Sequence, residues 1–166
     1  LDEEIESIDL YPVEVNGKWG YIDVKGNMVI PPKYRGGFDF SEGLAAFISD
    51  NGKSGFINKK GEVVIEPEFY VEGDFENGIA PVWLKSNESA NIPYSYIDKT
   101  GQVVVNTNYL YVTSFREDLM RVSTNGEKYG FCDRDFNLVI EEQFAMAGYF
   151  SEGLANFTYE IDGKWG

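Results

Sequence analysis

The feature that most constrains this chain is that it repeats itself. Four stretches line up, GKWGYID at 17–23, GKSGFIN at 52–58, IPYSYID at 92–98 and EKYGFCD at 127–133, and a fifth opens at Gly163. Successive starts lie 35, 40, 35 and 36 residues apart, and the one long interval holds the polar stretch KSNESANIP at 85–93, which reads as a loop insertion. A period of this size means that each repeat is one supersecondary unit, unable to bury its apolar surface without its neighbours.

Two further segments follow each first one in fixed order. The second segments are KGNMVIPPKY from Lys25, KGEVVIEPEF from Lys60, TGQVVVNTNY from Thr100 and DFNLVIEEQF from Asp135. Gly26, Gly61 and Gly101 stand where a hairpin needs a residue at ease with positive φ, and the fourth repeat offers Asn137 just after that point for the same purpose. The third segments are FSEGLAAF from Phe40, FENGIAPV from Phe75, FREDLMRV from Phe115 and FSEGLANF from Phe150. The pattern therefore predicts an all-β fold of antiparallel three-stranded meander units, stacked as an open superhelical array or in a propeller-like arrangement.

The units fall at about 17–51, 52–91, 92–126 and 127–162 within a single repeat domain over 1–166. LYPV at 10–13 resembles IAPV at 79–82, so residues 1–16 read as a partial unit ending in a third strand, and 163–166 as the start of a further one. The chain is expected to be cut from something longer.

Comparison between repeats assigns roles to positions. Strand one alternates, with Trp19, Tyr21 and Asp23 on one face and Gly20 and Ile22 on the other, and its counterparts keep the aromatic as Phe56, Tyr96 and Phe131. Strand two is apolar three residues running, as in Met28-Val29-Ile30 and Val63-Val64-Ile65, which reads as a strand covered on both sides. Pro31, Pro32 and Pro67 end it, where missing donors terminate a ladder. On strand three, Ala45, Ala80, Met120 and Ala155 agree in character, whereas Ala46, Pro81, Arg121 and Asn156 on the opposite face differ in every property. Positions that differ are free to face solvent or a ligand.

Composition excludes most chemistry. With 166 residues, 43% hydrophobic and 16% aromatic, the chain can bury a real core. It has no His and a single Cys, Cys132, so imidazole bases, His-ligated metals, Cys–His nucleophiles and internal disulfides are excluded together. Cys132 takes the place of Ile22, Ile57 and Ile97 and reads as a small buried apolar residue. A net charge of −14 repels phosphate backbones and anionic membranes, which argues against nucleic acid. No apolar run approaches the ~18 residues of a membrane span, and LDEEIESIDL is too acidic for the start of a signal peptide.

The succession of GKWGYID, a KG turn, VIPPKY and FSEGLA resembles the WG-repeat (KWG) family of bacterial proteins over nearly the whole chain. The departures lie at the name-giving residue: Trp19 and Trp165 keep it, Ser54, Tyr94 and Tyr129 replace it, and Ser95 replaces the glycine in the third repeat. The resemblance implies a β-rich repeat module of larger envelope, secreted or signalling-associated proteins, with interaction rather than catalysis as its role and no catalytic residues to carry over. It favours an extracytoplasmic compartment without fixing one. Choline-binding and glucan-binding repeats share a G-K-W-x-Y-x-D hairpin, but they run at about 20 residues and lack the FSEGLA strand.

The candidate binding residues are Trp83, Trp19, Tyr94, Tyr129, Arg121 and Asn156, because aromatic faces anchor interfaces and stack on sugars, and variable strand positions shape a surface. The competing reading of the recurrent aromatics at 21, 56, 96 and 131 is packing between repeats. Asp39, Glu42, Asp74 and Glu76, with the Asp50-Asn51-Gly52 turn, offer oxygen ligands of the kind Ca²⁺ takes, but their spacing matches no calcium loop, and a solvated face is the plainer reading. A glycosidase-like carboxylate pair is the remaining enzymatic option, and nothing in the sequence sets two acids across a cleft. The expectation is a non-catalytic binding module, without cofactor or metal, that serves as a protein–protein interaction scaffold. The alternative is a carbohydrate- or cell-wall-binding module using exposed aromatics.

Overall fold

The computed structural model describes residues 8–71, 73–84 and 94–160. Among them there is no helix, and sixteen strands pair in antiparallel sheets without closing a barrel. The chain divides into two compact bodies, one of residues 1–88 with 95–106 and the other of 89–94 with 107–166.

In the first body β1 (Leu10–Val15), β2 (Lys18–Asp23) and β3 (Met28–Tyr34) form one sheet in that order. A seven-stranded sheet runs β10-β9-β8-β7-β6-β5-β4, from β10 (Val103–Asn106) through β9 (Ser95–Asp98), β8 (Ile79–Trp83), β7 (Val63–Val71), β6 (Ser54–Asn58) and β5 (Leu44–Ile48) to β4 (Gly36–Ser41). The second body holds β11 (Tyr111–Val112), β12 (Met120–Ser123), β13 (Tyr129–Cys132) and β14 (Leu138–Phe144) in one sheet, and β15 (Met146–Ala147) with β16 (Phe157–Thr158) in another.

The three strands expected of each repeat are present in meander order, and a fourth segment joins them. In the first repeat β3 bends at Arg35 into β4, which pairs with β5. In the second repeat the transfer needs no break: β7 pairs with β6 through Phe69 and with β8 from Tyr70. Strand two of these repeats thus leads into the segment that pairs with strand three of the same repeat. β4, GGFDFS, opens on two glycines, and the sequence pattern assigns none of it to a strand apart from its end at Phe40.

The glycine of the WG pair has a steric cause. A Cβ on Gly20 would overlap the Ile30 carbonyl and come within 2.7 Å of the Pro32 nitrogen, and one on Gly55 or Gly130 would meet the Ile65 or Ile140 carbonyl in the same way. The cause is a bulge. Tyr21 faces Ile30 and Trp19 faces Tyr34, so strand two spends four residues against two of strand one, and the second and fourth repeats do the same. Where Ser95 replaces the glycine the extra residues are gone: Tyr96 faces Val105, Ser95 faces Asn106, and the Ser95 hydroxyl donates to Asn106 Oδ1 at 3.0 Å. Pro31, Pro32 and Pro67 sit at or beside the extra residues, where no ladder donor is required.

The core repeats with the sequence. Tyr21 and Phe40, Phe56 and Phe75, and Phe131 and Phe150 each meet edge to face, at 5.0, 4.7 and 4.9 Å between ring centres. The Tyr21 hydroxyl donates to the Phe38 carbonyl at 2.9 Å, and burial raises its pKa. Cys132 is buried as expected, and that burial pushes its thiol up to about 12. Strand two departs from expectation. Met28, Val63, Val64, Val103, Val104, Leu138 and Val139 are exposed rather than covered: Ile30 and Ile65 turn into the core, and the start of strand two presents its other face to solvent in the interior strand β7 as in the edge strands β3, β10 and β14. In the fourth repeat the positive φ of the hairpin falls on Phe136, at 62°, and not on Asn137; the Phe136 ring packs against Phe115 at 6.3 Å.

The acid that ends strand one holds the following turn. Oδ1 of Asp23, Asp98 and Asp133 accepts the N–H groups two and four residues on, and Asn58 does the same with its amide oxygen. The Asn27 side chain at Asp23, the Thr100 hydroxyl at Asp98 and the Asn137 N–H at Asp133 lead the hydrogen bonds that hold these carboxyls below the usual range. Each native pKa lies below its unfolded value. The stability they add is therefore complete above the unfolded carboxyl range near pH 4 and is lost as pH falls through the lower native values. Asp98→Asn is expected to keep the turn, as Asn58 does, while making urea midpoints less steeply dependent on pH below 4; an unchanged slope would refute this account.

A carboxylate also ties the third-strand turn of the first repeat to that of the second, and that of the third repeat to that of the fourth. The turns Glu42-Gly43, Asn77-Gly78 and Glu152-Gly153 share one shape, with φ of 50° and 87°, 53° and 82°, and 55° and 78°. Glu42 accepts the Asn77 and Gly78 N–H groups at 2.6 and 3.0 Å, and Glu117 accepts those of Glu152 and Gly153 at 2.5 and 2.8 Å. Lys99 adds an ion pair to Glu42 at 3.1 Å.

Candidate functional site

Three of the six candidate binding residues meet in the second body. Arg121 on β12 and Tyr129 on β13 lie on neighbouring strands, with Arg121 opposite Phe131 in register. The Arg121 guanidinium stands 5.3 Å from the Tyr129 ring centre and 5.4 Å from that of Tyr149. Its Nη1 donates to the Ala147 carbonyl, while its Nε is buried without a hydrogen-bond partner among the described residues. Arg116 approaches the outer side of the patch, 6.0 Å from the Tyr149 ring centre. Asn156 is exposed beside it, accepting the Gly148 N–H on its carbonyl at 2.8 Å, and the missing Cβ of Gly148 leaves the space its side chain occupies.

A guanidinium between two tyrosines is held flat by cation–π attraction, worth roughly 0.5–2 kcal/mol per pair. Among the described residues no carboxylate forms an ion pair with Arg121. The patch is an amphipathic surface: two phenol rings, one of them 53% exposed, around a cation that, among the described residues, donates to one carbonyl. It carries the hydrogen-bond donors of the guanidinium and the two phenol rings.

The other candidates lie elsewhere. Trp19 on β2 is half-buried against the cluster of Leu10, Tyr21 and Ile30, and Trp83 on β8 is half-buried in the larger sheet opposite Tyr70. Tyr94 is buried, its N–H donating to the Tyr109 carbonyl at 3.0 Å and its own carbonyl accepting from Thr107, so its ring faces the interior. Trp165 and the insertion around Ser86 to Ile92 lie outside the described residues. Of the acids weighed as calcium ligands, Glu42 ties turns and Asp50 pairs with Lys18 at 2.6 Å. Among the described residues no three acidic or cysteine side chains gather as a metal site.

Sequence comparison misses Tyr149 and Arg116. Tyr149 takes the position of Asp39, Asp74 and Ser114, immediately before the phenylalanine that opens each third segment, and an aromatic in a column otherwise polar was the available signal.

A family model described as WG containing repeat matches residues 19–53, 55–82, 94–127 and 129–165, four tandem copies that coincide with the repeats read from the sequence. No curated protein matches the chain.

Proposed function

We propose, from the premise that the chain belongs to the WG containing repeat family, that it is a non-catalytic module that holds a protein partner, with the Arg121 patch as a contact surface. The observation that carries this reading is the Tyr129–Arg121–Tyr149 stack, since tyrosine and arginine in a fixed, partly desolvated arrangement are the residues that dominate protein interfaces. A sugar is the weaker occupant. The guanidinium already takes up the tyrosine faces on which a pyranose would stack, leaving ring edges, hydroxyls and arginine donors that suit peptide carbonyls and carboxylates.

Screening the whole chain against a displayed peptide library and a glycan array tests the reading. Peptide ligands are expected whose affinity falls about 30-fold in Arg121→Ala and Tyr149→Ala, the loss typical of an interface anchor. Glycan binding abolished by Trp83→Ala, with no peptide selected, would overturn it in favour of a carbohydrate module.

A further inference from the structure

We propose that the turn Glu42-Gly43 is a carboxylate seat, shaped to take a glutamate or aspartate side chain from a partner polypeptide. The first body contains a filled copy of the same seat: in Asn77-Gly78 both N–H groups are taken by the Glu42 carboxylate. The second body contains another, in which Glu152 and Gly153 give theirs to Glu117. Glu42 and Gly43 have the same pair of positive φ angles, yet no acceptor among the described residues meets either of their N–H groups.

Among the described residues, the lack of an acceptor has a cause in the sequence. Leu10 faces Asp23 as Leu44 faces Asn58 and Ile79 faces Asp98, so Leu10 corresponds to Leu44 and Ile79. Two residues earlier, the position equivalent to Glu42 and Asn77 is Ile8, which packs on the core and has no oxygen to offer. Space is present instead. A cavity of about 510 Å³ adjoins the turn, with Leu10, Tyr11 and Phe40 as apolar wall and Lys59 as its cation, and a Cβ on Gly43 would meet nothing within 4 Å. Asp9 and Asp39 also line it, so the seat selects by paired hydrogen bonds rather than by net field. The ligand chemistry is fixed by the two filled copies, both of which hold a carboxylate on consecutive N–H groups. This site is separate from the Arg121 patch, and either can fail alone.

Titrating the ¹⁵N-labelled chain with sodium acetate at constant ionic strength tests it. Saturable shifts of the Glu42 and Gly43 amides are expected with acetate and not with chloride, while Asn77 and Gly78 stay still. In Glu42→Ala, the Asn77 and Gly78 amides should begin to respond as well. Unmoved Glu42 and Gly43 amides, an equal response to chloride, or a Glu42→Ala chain whose second seat stays silent would each overturn the proposal. Shifts at Glu42 and Gly43 that appear on raising protein concentration without acetate would give the seat to a second copy of the chain and overturn the choice of partner.

Discussion

Valine at Gly20, Gly55 or Gly130 is expected to cost about 3 kcal/mol or more in urea unfolding, whereas Lys18→Ala should cost less than about 1 kcal/mol. The new Cβ would meet backbone, not a side chain that can swing away: the Ile30, Ile65 or Ile140 carbonyl and, behind it, the next peptide units of the bulge. Relief requires strand two to lift, which breaks the pairing of β3 with β2 or its counterparts and uncovers Tyr21, Phe56 or Phe131. Lys18 has only a surface ion pair to an aspartate whose side chain is 80% exposed. Position 95 is the internal control. It already carries a Cβ, so Ser95→Ala should cost only the hydrogen bond to Asn106, about 1 kcal/mol. Equal tolerance of valine and alanine across these sites would defeat the steric account.

The second largest effect is expected at the acidic ties between turns. Glu117→Ala strips the Glu152 and Gly153 N–H groups of their acceptor, and Glu42→Ala does so for Asn77 and Gly78. Charge-assisted hydrogen bonds contribute about 1.5–3 kcal/mol, and solvent at these turns lowers the expected loss to about 1–2 kcal/mol each. Burial alone would raise the Glu42 carboxyl, but the Lys99 ammonium and the Gly78 and Asn77 N–H groups outweigh it and hold its pKa below the usual value. The native pKa is the lower one, so the tie is at full strength above the unfolded glutamate value near 4.3 and fades as pH falls through the native value. Glu152→Ala, which removes an exposed side chain from the same turn position, should leave the urea midpoint unmoved. A midpoint drop at Glu152 equal to that at Glu117 would mean that the carboxylates act through overall charge and not through these bonds.

Much of the fold could be read from the sequence because the repeats annotate one another. The alignment of GKWGYID with its three counterparts places β2, β6, β9 and β13, and the KG turns locate the positive φ of Gly26, Gly61 and Gly101. The apolar run of strand two misleads, since three hydrophobic residues in a row suggest burial on both sides, and which face of Val63, Val64, Val103 and Val104 is left to solvent depends on how sheets are assembled. Phe136 was illegible for a related reason: a bulky residue rarely takes a left-handed conformation, and its ring contact with Phe115 is made across 21 residues of sequence. At the Arg121 patch, the variability of Arg121 and Asn156 between repeats and the exchange of tryptophan for Tyr129 marked three residues that the fold brings together. Their meeting with Tyr149 is a long-range event that spacing does not encode. The ties from Glu42 and Glu117 were hidden because each joins a side chain to backbone N–H groups, which carry no residue signature.

The pairing of a bare glycine with a four-residue bulge also restricts how such arrays can diverge. A first, second or fourth repeat that mutates its glycine is penalised while its strand two still carries the surplus residues, and one that deletes those residues first is left with a glycine and nothing arching over it. The third repeat has both changes together, a serine and a one-for-one pairing from Tyr96 to Ser95. Repeats with and without the surplus residues opposite this position are therefore two alternative cassettes separated by an epistatic valley, and lineages are expected to exchange them whole, by duplication or recombination, more readily than to convert one into the other by single steps.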